Sequence, residues 1–249
     1  MHEPPITDFD ASSVPRYNGL PMLPGSDKPL RLALIGMSGC GKSHWAKNLA
    51  ALGCPTICCD DVIEARLAPV LESGGYQGIN GMAAWMGWPD SPTYAGRESE
   101  YLHEEIAALD DVLSSLEKDP QGELVLDTTG SVICTGNHML HRLRRQMTVV
   151  YFAASAEETQ LLIERYLNDP KPVLWQGVFQ ARPGETPRDT VVRCYPVLIA
   201  ARRQSYEALA HLTIPTAITR ELSPPGTSRN PDVAQLLLDK IRALLSARC

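Results

Sequence analysis

Residues 36–43 follow a pattern that binds phosphate groups. They fit G-x-x-x-x-G-K-[ST] and read Gly36-Met37-Ser38-Gly39-Cys40-Gly41-Lys42-Ser43. In this pattern the glycines let backbone N–H groups surround phosphate oxygens, Lys42 brings a positive charge to the β- and γ-phosphates, and Ser43 offers a hydroxyl to Mg²⁺. The loop therefore predicts binding of ATP with Mg²⁺. The residues expected to contact the nucleotide are Gly36, Ser38, Gly39, Cys40, Gly41, Lys42, Ser43 and His44.

Acidic side chains stand where two further apolar runs end. Asp127 follows the run 124–126, as expected of a carboxylate that reaches Mg²⁺ at the edge of a sheet. Asp60 and Asp61 follow the run 55–59 and are candidates to accept the proton of a reacting hydroxyl. A structural interpretation stays open for each, because Asp127 also suits a turn and adjacent acids often cap helices. We expect Asp127 and Ser43 to hold the metal and Asp60 to be the base.

The elements that must position these residues alternate between strand and helix from residue 30 onward. This alternation predicts an α/β fold, with a five-stranded parallel sheet covered by helices on both faces. The predicted strands span residues 31–35, 55–59, 124–126, 148–152 and 212–215. Apart from the helix that follows the phosphate loop, the predicted helices span 61–71, 97–117, 156–167 and 189–210, with a last one capped by Asn230 and begun by Pro231. In the helix 97–117, the apolar stripe is predicted to contain Leu102, Ile106, Leu109 and Leu113.

Three segments lack this periodicity. Residues 1–28 contain five prolines and predict an extended or disordered arm, which leaves residues 29–249 as one domain. Residues 73–96 are rich in Gly, Trp and Pro and predict an irregular excursion. Residues of about 168–190 hold several prolines and charges and predict a mobile lid.

Composition excludes several classes of protein. The formal charge of −6 and the lack of a Lys/Arg run argue against nucleic-acid binding. The sequence has no apolar run of 18 residues, so no membrane span is predicted. The seven cysteines form no C-x-x-C pair, which argues against zinc and disulfides and favours the reducing cytoplasm. The N-terminus has neither the basic nor the apolar region of a secretory signal. We expect a monomer or a small homo-oligomer, and small anionic substrates stay possible because an acidic protein can still contain a local basic pocket.

Beyond the phosphate loop, the residues after the second strand resemble the shikimate kinase family of P-loop kinases. That family has Asp-x-Asp-x-x-Ile-Glu at this point, and the chain reads Cys58-Cys59-Asp60-Asp61-Val62-Ile63-Glu64. The resemblance implies that Asp60 binds the acceptor and serves as base. Cys58 replaces an acidic residue that usually helps to hold Mg²⁺, so this role is expected to pass to Asp127.

The resemblance extends to the acceptor site and the lid. The family's Phe-Arg-x-x-Glu matches 96–100, which implies that Arg97 and Glu100 bind the acceptor, whereas the residues alone also fit a solvated helical turn. Arg202 is implied as a second arginine for the acceptor, with a helix-surface charge as the alternative. In the lid, Arg165 is expected to lie over the adenine, and Arg165 and Lys171 to assist catalysis. Lys171 replaces an arginine and loses its two-pronged grip on phosphate.

The largest departure from the family is at the end of the third strand. The family's Ala-Thr-Gly-Gly-Gly is here Asp127-Thr128-Thr129-Gly130-Ser131. Thr129, Gly130 and Ser131 are expected to contact the acceptor, with two side chains added where glycine allows close backbone approach. Three hypotheses follow: a shikimate kinase, a kinase for another acceptor such as gluconate or a nucleoside, and a non-catalytic nucleotide-binding module.

Overall fold

The computed structural model of the protein describes residues 29–224 and 230–247. The arm predicted at residues 1–28 lies outside the described residues. Within them, five strands form one sheet: β1 (Arg31–Ile35), β2 (Thr56–Cys58), β3 (Leu124–Asp127), β4 (Thr148–Ala153) and β5 (Leu212–Pro215). The helices are α1 (Lys42–Ala51), α2 (Cys59–Ser73), α3 (Gly78–Met86), α4 (Tyr94–Lys118), α5 (Asn137–Gln146), α6 (Ala156–Asn168), α7 (Pro187–Leu209), α8 (Thr216–Leu222) and α9 (Pro231–Ser246).

The strands are all parallel and run in the order β2-β3-β1-β4-β5. The predicted α/β fold with a five-stranded parallel sheet is therefore confirmed. Because β1 lies between β3 and β4, the chain leaves β1 toward one side of the sheet first and later returns to build the other. Such a switch point opens a crevice at the carboxyl ends of the strands, where open α/β sheets bind ligands.

Both faces of the sheet are buried, as parallel sheets require. In β1, Ala33 and Ile35 pack with α2, α4 and α7, whereas Leu32 and Leu34 pack with α1 and α9 on the opposite face. Every residue of β1 is buried. The alternation follows from the pleat of a strand, which turns successive side chains to opposite faces. Among the described residues, no helix is both long enough and apolar enough to cross a membrane.

The prediction of an irregular excursion at residues 73–96 was wrong in part, because α3 lies within it. Met82, Trp85 and Met86 bury one side of this short helix in the core. The helix contains Gly78 and Gly81, and glycine has a low helix propensity, so the sequence did not predict a helix here. At Gly81 an added Cβ would lie 2.9 Å from the backbone carbon of Tyr76, so glycine is needed there for close packing and not for a turn.

The segment between α6 and α7, residues 169–186, contains no helix or strand, and its middle belongs to the core. Val173, Leu174 and Trp175 are at most 4% exposed. The hydroxyl of Tyr94 donates to the Val173 carbonyl at 2.6 Å and accepts from the Trp175 N–H at 3.0 Å. The prediction of a mobile segment therefore does not apply to residues 173–175, which α4 anchors.

Candidate functional site

A cleft of about 520 Å³ lies at the carboxyl ends of β1, β2 and β3. It brings together the loop before α1, the first turn of α2, the end of β3 and the α6–α7 segment. Of the residues predicted to act, those that line the cleft are Ser38, Gly39, Gly41, Lys42, Ser43, His44, Asp60, Asp127, Thr129, Gly130 and Lys171. The switch point of the sheet thus collects groups that are far apart in the sequence.

The phosphate loop has the backbone shape that its glycines predict. Gly36, Gly39 and Gly41 have φ angles of 140°, 82° and 101°, which other residues rarely adopt. At Gly36 a Cβ would also lie 2.8 Å from the Phe152 carbonyl oxygen of β4. Gly41 turns the chain into α1, so the N-terminal end of that helix faces the cleft.

Lys42 closes the loop on itself. Its Nζ donates to the carbonyl oxygens of Gly36 at 2.9 Å and Met37 at 3.1 Å, and the side chain is buried. An ammonium group has three N–H donors, so two of them hold the loop and one remains for a phosphate oxygen. The positive charge is therefore fixed in position before a nucleotide binds.

The side chains of Cys40 and His44, both predicted to contact the nucleotide, contact other parts of the protein. The Cys40 side chain points into the core beside Gly36, and burial raises the pKa of its thiol, so only its backbone is available to phosphate. His44 lines the cleft with Nε2 2.8 Å from the Ser223 hydroxyl. Burial, with the charge of Lys47, lowers the pKa of His44, which favours the neutral ring.

Asp127 has the properties of a metal ligand. Its side chain is 3% exposed, and its Oδ1 has no hydrogen-bond partner. Burial raises the pKa of this carboxyl, while Lys42 and hydrogen bonds from Ser43 and Cys58 lower it. A buried carboxylate oxygen left without a partner is costly unless a ligand satisfies it. The neighbouring Ser43 hydroxyl completes a pair of oxygen donors.

This pair fits Mg²⁺ better than a metal that needs a cage of protein ligands. In the described part of the chain, no group of three or more His, Cys, Asp or Glu side chains could hold a metal ion. Mg²⁺ typically takes one or two carboxylates and fills its other positions with water and substrate phosphates. Ser43 and Asp127 beside the phosphate loop meet that requirement.

Asp60 lines the same cleft and is held there by α4. It lies in the first turn of α2, half-buried, and its Oδ1 accepts a hydrogen bond of 3.0 Å from the Tyr101 hydroxyl. Burial raises the pKa of Asp60, and Lys42 and Tyr101 oppose this rise. The neighbouring Asp61 is exposed and also lines the cleft. A partly desolvated carboxylate with one oxygen free is a suitable proton acceptor.

The loop after β3 explains how the added side chains of Thr129 and Ser131 are accommodated. Both hydroxyls donate to the carboxylate of Glu105 on α4, that of Ser131 at 2.6 Å. The Gly130 carbonyl accepts from Arg202 at 2.8 Å and from the Tyr206 hydroxyl. Thr129 and Gly130 still line the cleft, whereas Ser131 is buried and turns toward α4.

Like Ser131, three further residues expected to bind the acceptor lie outside the lining of this cleft. Arg97 donates to the Trp85 carbonyl, and its guanidinium lies 5.8 Å from the centre of the Trp85 ring. Glu100 is exposed on α4. Arg202 is buried and donates to the carbonyls of Gly130 and Leu174. The two arginines thus bind backbone carbonyls around the site, whereas Glu100 faces away from it.

The two residues predicted to act from a lid, Arg165 on α6 and Lys171 in the α6–α7 segment, lie close to the phosphate loop. Arg165 is exposed and donates to the Gly39 carbonyl at 2.8 Å. Lys171 lines the cleft, forms an ion pair of 2.8 Å with Asp169 and donates to the side-chain oxygen of Asn80 on α3. Both cations are therefore within reach of a nucleotide that occupies the loop.

The sequence interpretation missed the side of α4 that faces the site. Tyr94, Glu98, Tyr101 and Glu105 follow one another at helical spacing and turn inward. Glu100 lies on a different, exposed side of the helix, whereas Arg97 borders the inward side and donates to the Trp85 carbonyl. The available signal was Glu105, an acid in register with the apolar positions that follow it. Of the predicted stripe, Leu109 and Leu113 are buried, while Leu102 and Ile106 are only partly so.

Solved structures with a similar fold include shikimate kinases. The shikimate kinase from Acinetobacter baumannii in complex with shikimate matches at a TM-score of 0.53 and 22% identity, over 87% of this chain and 95% of that one. The shikimate kinase from Bacteroides thetaiotaomicron matches at a TM-score of 0.52 and 16% identity, over 86% and 98%. No protein-family model and no curated protein sequence matches. The chain thus has a P-loop kinase fold similar to that of shikimate kinases.

Proposed function

We propose that the protein is an ATP-dependent kinase that transfers the γ-phosphoryl group to a hydroxyl of a small anionic acceptor. The observation that carries the proposal is the shared cleft: Lys42, Asp127 and Asp60 all line it, from three different elements. Phosphoryl transfer needs charge neutralisation, a metal position and a group that orients the nucleophile. The cleft supplies one residue for each.

The donor half of the reaction depends on the loop and on α1. Backbone N–H groups of the loop and the free N–H of Lys42 would bind the phosphate chain. Ser43 and Asp127 would hold Mg²⁺, which neutralises charge on the phosphates when bound. Arg165 and Lys171 approach from the lid side, where they add positive charge and help to exclude water.

The acceptor half depends on Asp60. As the acceptor oxygen forms its bond to phosphorus, Asp60 would take the hydroxyl proton and the bond to ADP would break. Its pKa is raised by burial, which makes it a better proton acceptor than an exposed Asp. Because Tyr101 occupies Oδ1, the acceptor hydroxyl would meet Oδ2.

Shikimate or a related hydroxy acid is the first acceptor class to test, given the fold. The placement of Arg97 and Arg202 favours a second class, a different hydroxylated metabolite such as gluconate or a nucleoside. Both arginines donate to backbone carbonyls and neither lines the cleft. The cations that do line it are Lys42, Lys47 and Lys171. An acceptor carboxylate bound by lysines need not have the geometry that a two-pronged arginine requires.

The test is ADP release from ATP·Mg²⁺ in the presence of shikimate, gluconate, other hydroxy acids and nucleosides. Stimulation by one acceptor, lost in Asp60→Asn, supports the kinase and names its substrate. ATP binding without stimulation by any acceptor would favour the non-catalytic module. Absence of ATP binding in the folded protein would contradict the proposal at its donor half.

A further inference from the structure

The inward-facing side of α4 makes specific hydrogen bonds to three separate parts of the site. Tyr94 and Glu98 bind residues 173–176 of the α6–α7 segment. One turn further, Tyr101 donates to Asp60, and another turn on, Glu105 accepts from Thr129 and Ser131. A single helix therefore sets the positions of the α6–α7 segment, of Asp60 and of the loop after β3.

Within this set, Tyr101 has one hydrogen bond of note and it is directed at the reacting group. Its side chain is 1% exposed, so packing holds the ring. Its hydroxyl lies 3.0 Å from Asp60 Oδ1 and must donate, because an ionised carboxylate has no hydrogen to give. Burial raises the pKa of Tyr101 well above its ordinary value, so the phenol keeps its proton over the working pH range.

The surroundings of Asp60 make this contact consequential. Lys42 is the cation that acts on its charge, while Asp127 and Asp61 are acids that oppose ionisation. Tyr101 is the neutral donor that favours the ionised form. A hydrogen bond to one carboxylate oxygen also restricts rotation of the group, because the bond is lost if the carboxylate turns. The second oxygen is then left in a defined direction toward the cleft.

We propose that Tyr101 is a positioning residue for phosphoryl transfer, which holds the Asp60 carboxylate turned toward the acceptor hydroxyl. The proposal rests on the proposed kinase function for its effect on turnover. Its effect on Asp60 itself is independent of that function. Tyr101 does not touch the substrate and acts through Asp60.

The test is Tyr101→Phe, which removes one oxygen atom and keeps the buried ring. With the acceptor that the wild type uses, kcat should fall about 10- to 100-fold, as expected for loss of a hydrogen bond to a charged group, while KM for ATP stays the same. The acid limb of the pH–rate profile should move to higher pH, since Asp60 loses a donor that favours its ionised form. Tyr151→Phe, which removes a buried hydroxyl from β4, is the matched control and should change neither.

Carbon-13 NMR of the Asp60 carboxyl provides a readout without turnover. Its titration midpoint should rise in Tyr101→Phe and fall when 3-fluorotyrosine, a stronger donor, replaces Tyr101. The second substitution keeps the phenol and so serves if Tyr101→Phe does not fold. An unchanged Asp60 titration in the folded variants would overturn the proposal. If the wild type phosphorylates no acceptor but the titration moves as expected, the kinase function fails and the role of Tyr101 toward Asp60 stands.

Discussion

At the scale of single residues, each reactive side chain in the cleft is held by a neighbour that restricts it. Lys42 is held by two loop carbonyls, Asp60 by Tyr101, and Asp127 by Ser43 and Cys58. Preorganised charges contribute to catalysis because they need little rearrangement as the reaction proceeds. The replacement of an acid by Cys58 fits this arrangement, because a neutral thiol can donate to Asp127 where a carboxylate could not.

Asp60→Asn tests the base directly. The variant should lose about 100-fold or more in turnover, because an amide cannot accept the hydroxyl proton, and should keep the wild-type affinity for ATP. In the wild type, turnover should fall as pH decreases and Asp60 takes up a proton. The raised pKa of Asp60 places that fall at a higher pH than an exposed aspartate would give. Steady-state kinetics with separate ATP-binding measurements check both results, and equal losses in turnover and ATP affinity would reject the role.

Asp127→Asn tests the metal position. The substitution removes the negative charge of a carboxylate whose Oδ1 has no hydrogen-bond partner. Mg²⁺-dependent nucleotide binding should therefore weaken, while binding without Mg²⁺ changes little. Isothermal titration of ATP with and without Mg²⁺ measures the difference. Asp61→Asn is the matched control, since Asp61 is exposed in the same cleft. An unchanged dependence on Mg²⁺ would show that Asp127 does not hold the metal.

At the scale of elements, α4 is the helix that contacts Asp60, the loop after β3 and the α6–α7 segment. Its inward side carries Glu105, whose carboxylate is 3% exposed and accepts from two hydroxyls of the loop after β3. Burial raises the pKa of Glu105 to about 7, although those hydrogen bonds and Arg202 lower it. The fold therefore accepts a costly buried acid in order to fix the loop beside the cleft.

Glu105 makes stability depend on pH in a defined direction. Between its ordinary pKa of 4.5 and about 7 the folded state keeps a proton that the unfolded state releases, so the free energy of unfolding falls as pH rises. The loss across this window is on the order of 3 kcal/mol. Glu105→Gln should remove this slope, and Glu100→Gln, at an exposed position of the same helix, should keep it. Urea unfolding at pH 5 and pH 8 measures the slopes, and the same slope in wild type and Glu105→Gln would contradict the assignment.

Glu98 tests how α4 anchors the α6–α7 segment. Its Oε1 accepts from the Gln176 N–H at 3.0 Å and lies 2.9 Å from the Tyr94 hydroxyl, whose single proton it shares with the Val173 carbonyl. Glu98→Ala leaves the Gln176 N–H without its partner, so amide hydrogens at Trp175 and Gln176 should exchange faster and stability should fall by about 1–3 kcal/mol. Hydrogen exchange followed by mass spectrometry measures this, with Glu100→Ala as the control. Unchanged exchange in the segment would show that core packing of Trp175 alone holds it.

At the scale of the whole molecule, the site exists because strands are added first on one side of β1 and later on the other. The phosphate loop follows β1, Asp60 follows β2 and Asp127 ends β3, and these strands are neighbours in the order β2-β3-β1. Leu34 of β1 pairs in register with Asp127, which brings that carboxylate level with the start of the loop. A ligand that bridges these ends would therefore stabilise the sheet as a whole.

Binding of ATP·Mg²⁺ should accordingly raise the thermal unfolding temperature by several degrees. A ligand at a hundredfold excess over its Kd adds about 2.7 kcal/mol to the stability of the folded state. Lys42→Met should lose most of this gain, because it removes the charge that faces the phosphates, whereas Lys118→Met at the exposed end of α4 should retain it. Differential scanning calorimetry with and without ATP·Mg²⁺ measures the shift. Equal shifts in Lys42→Met and wild type would show that ATP binds elsewhere.

The sequence by itself determined the local features of this protein. The loop 36–43 and the apolar strand before it are contiguous in the sequence. The loop requires glycines and a lysine at fixed positions, so the phosphate-binding loop and the parallel sheet were predictable. The acids at the strand ends were predictable for the same reason, since the direction of parallel strands places them at one edge.

Only the tertiary structure decided which side of α4 faces the cleft. A helix turns about 100° per residue, so an error of one residue in its orientation exchanges Glu100 for Tyr101. That orientation is set by packing against α2, the loop after β3 and the buried residues 173–175, which are distant in the chain. The carbonyl partners of Arg202 are likewise 28 and 72 residues away. No local pattern records such contacts, because they depend on how separate elements come together in the folded chain.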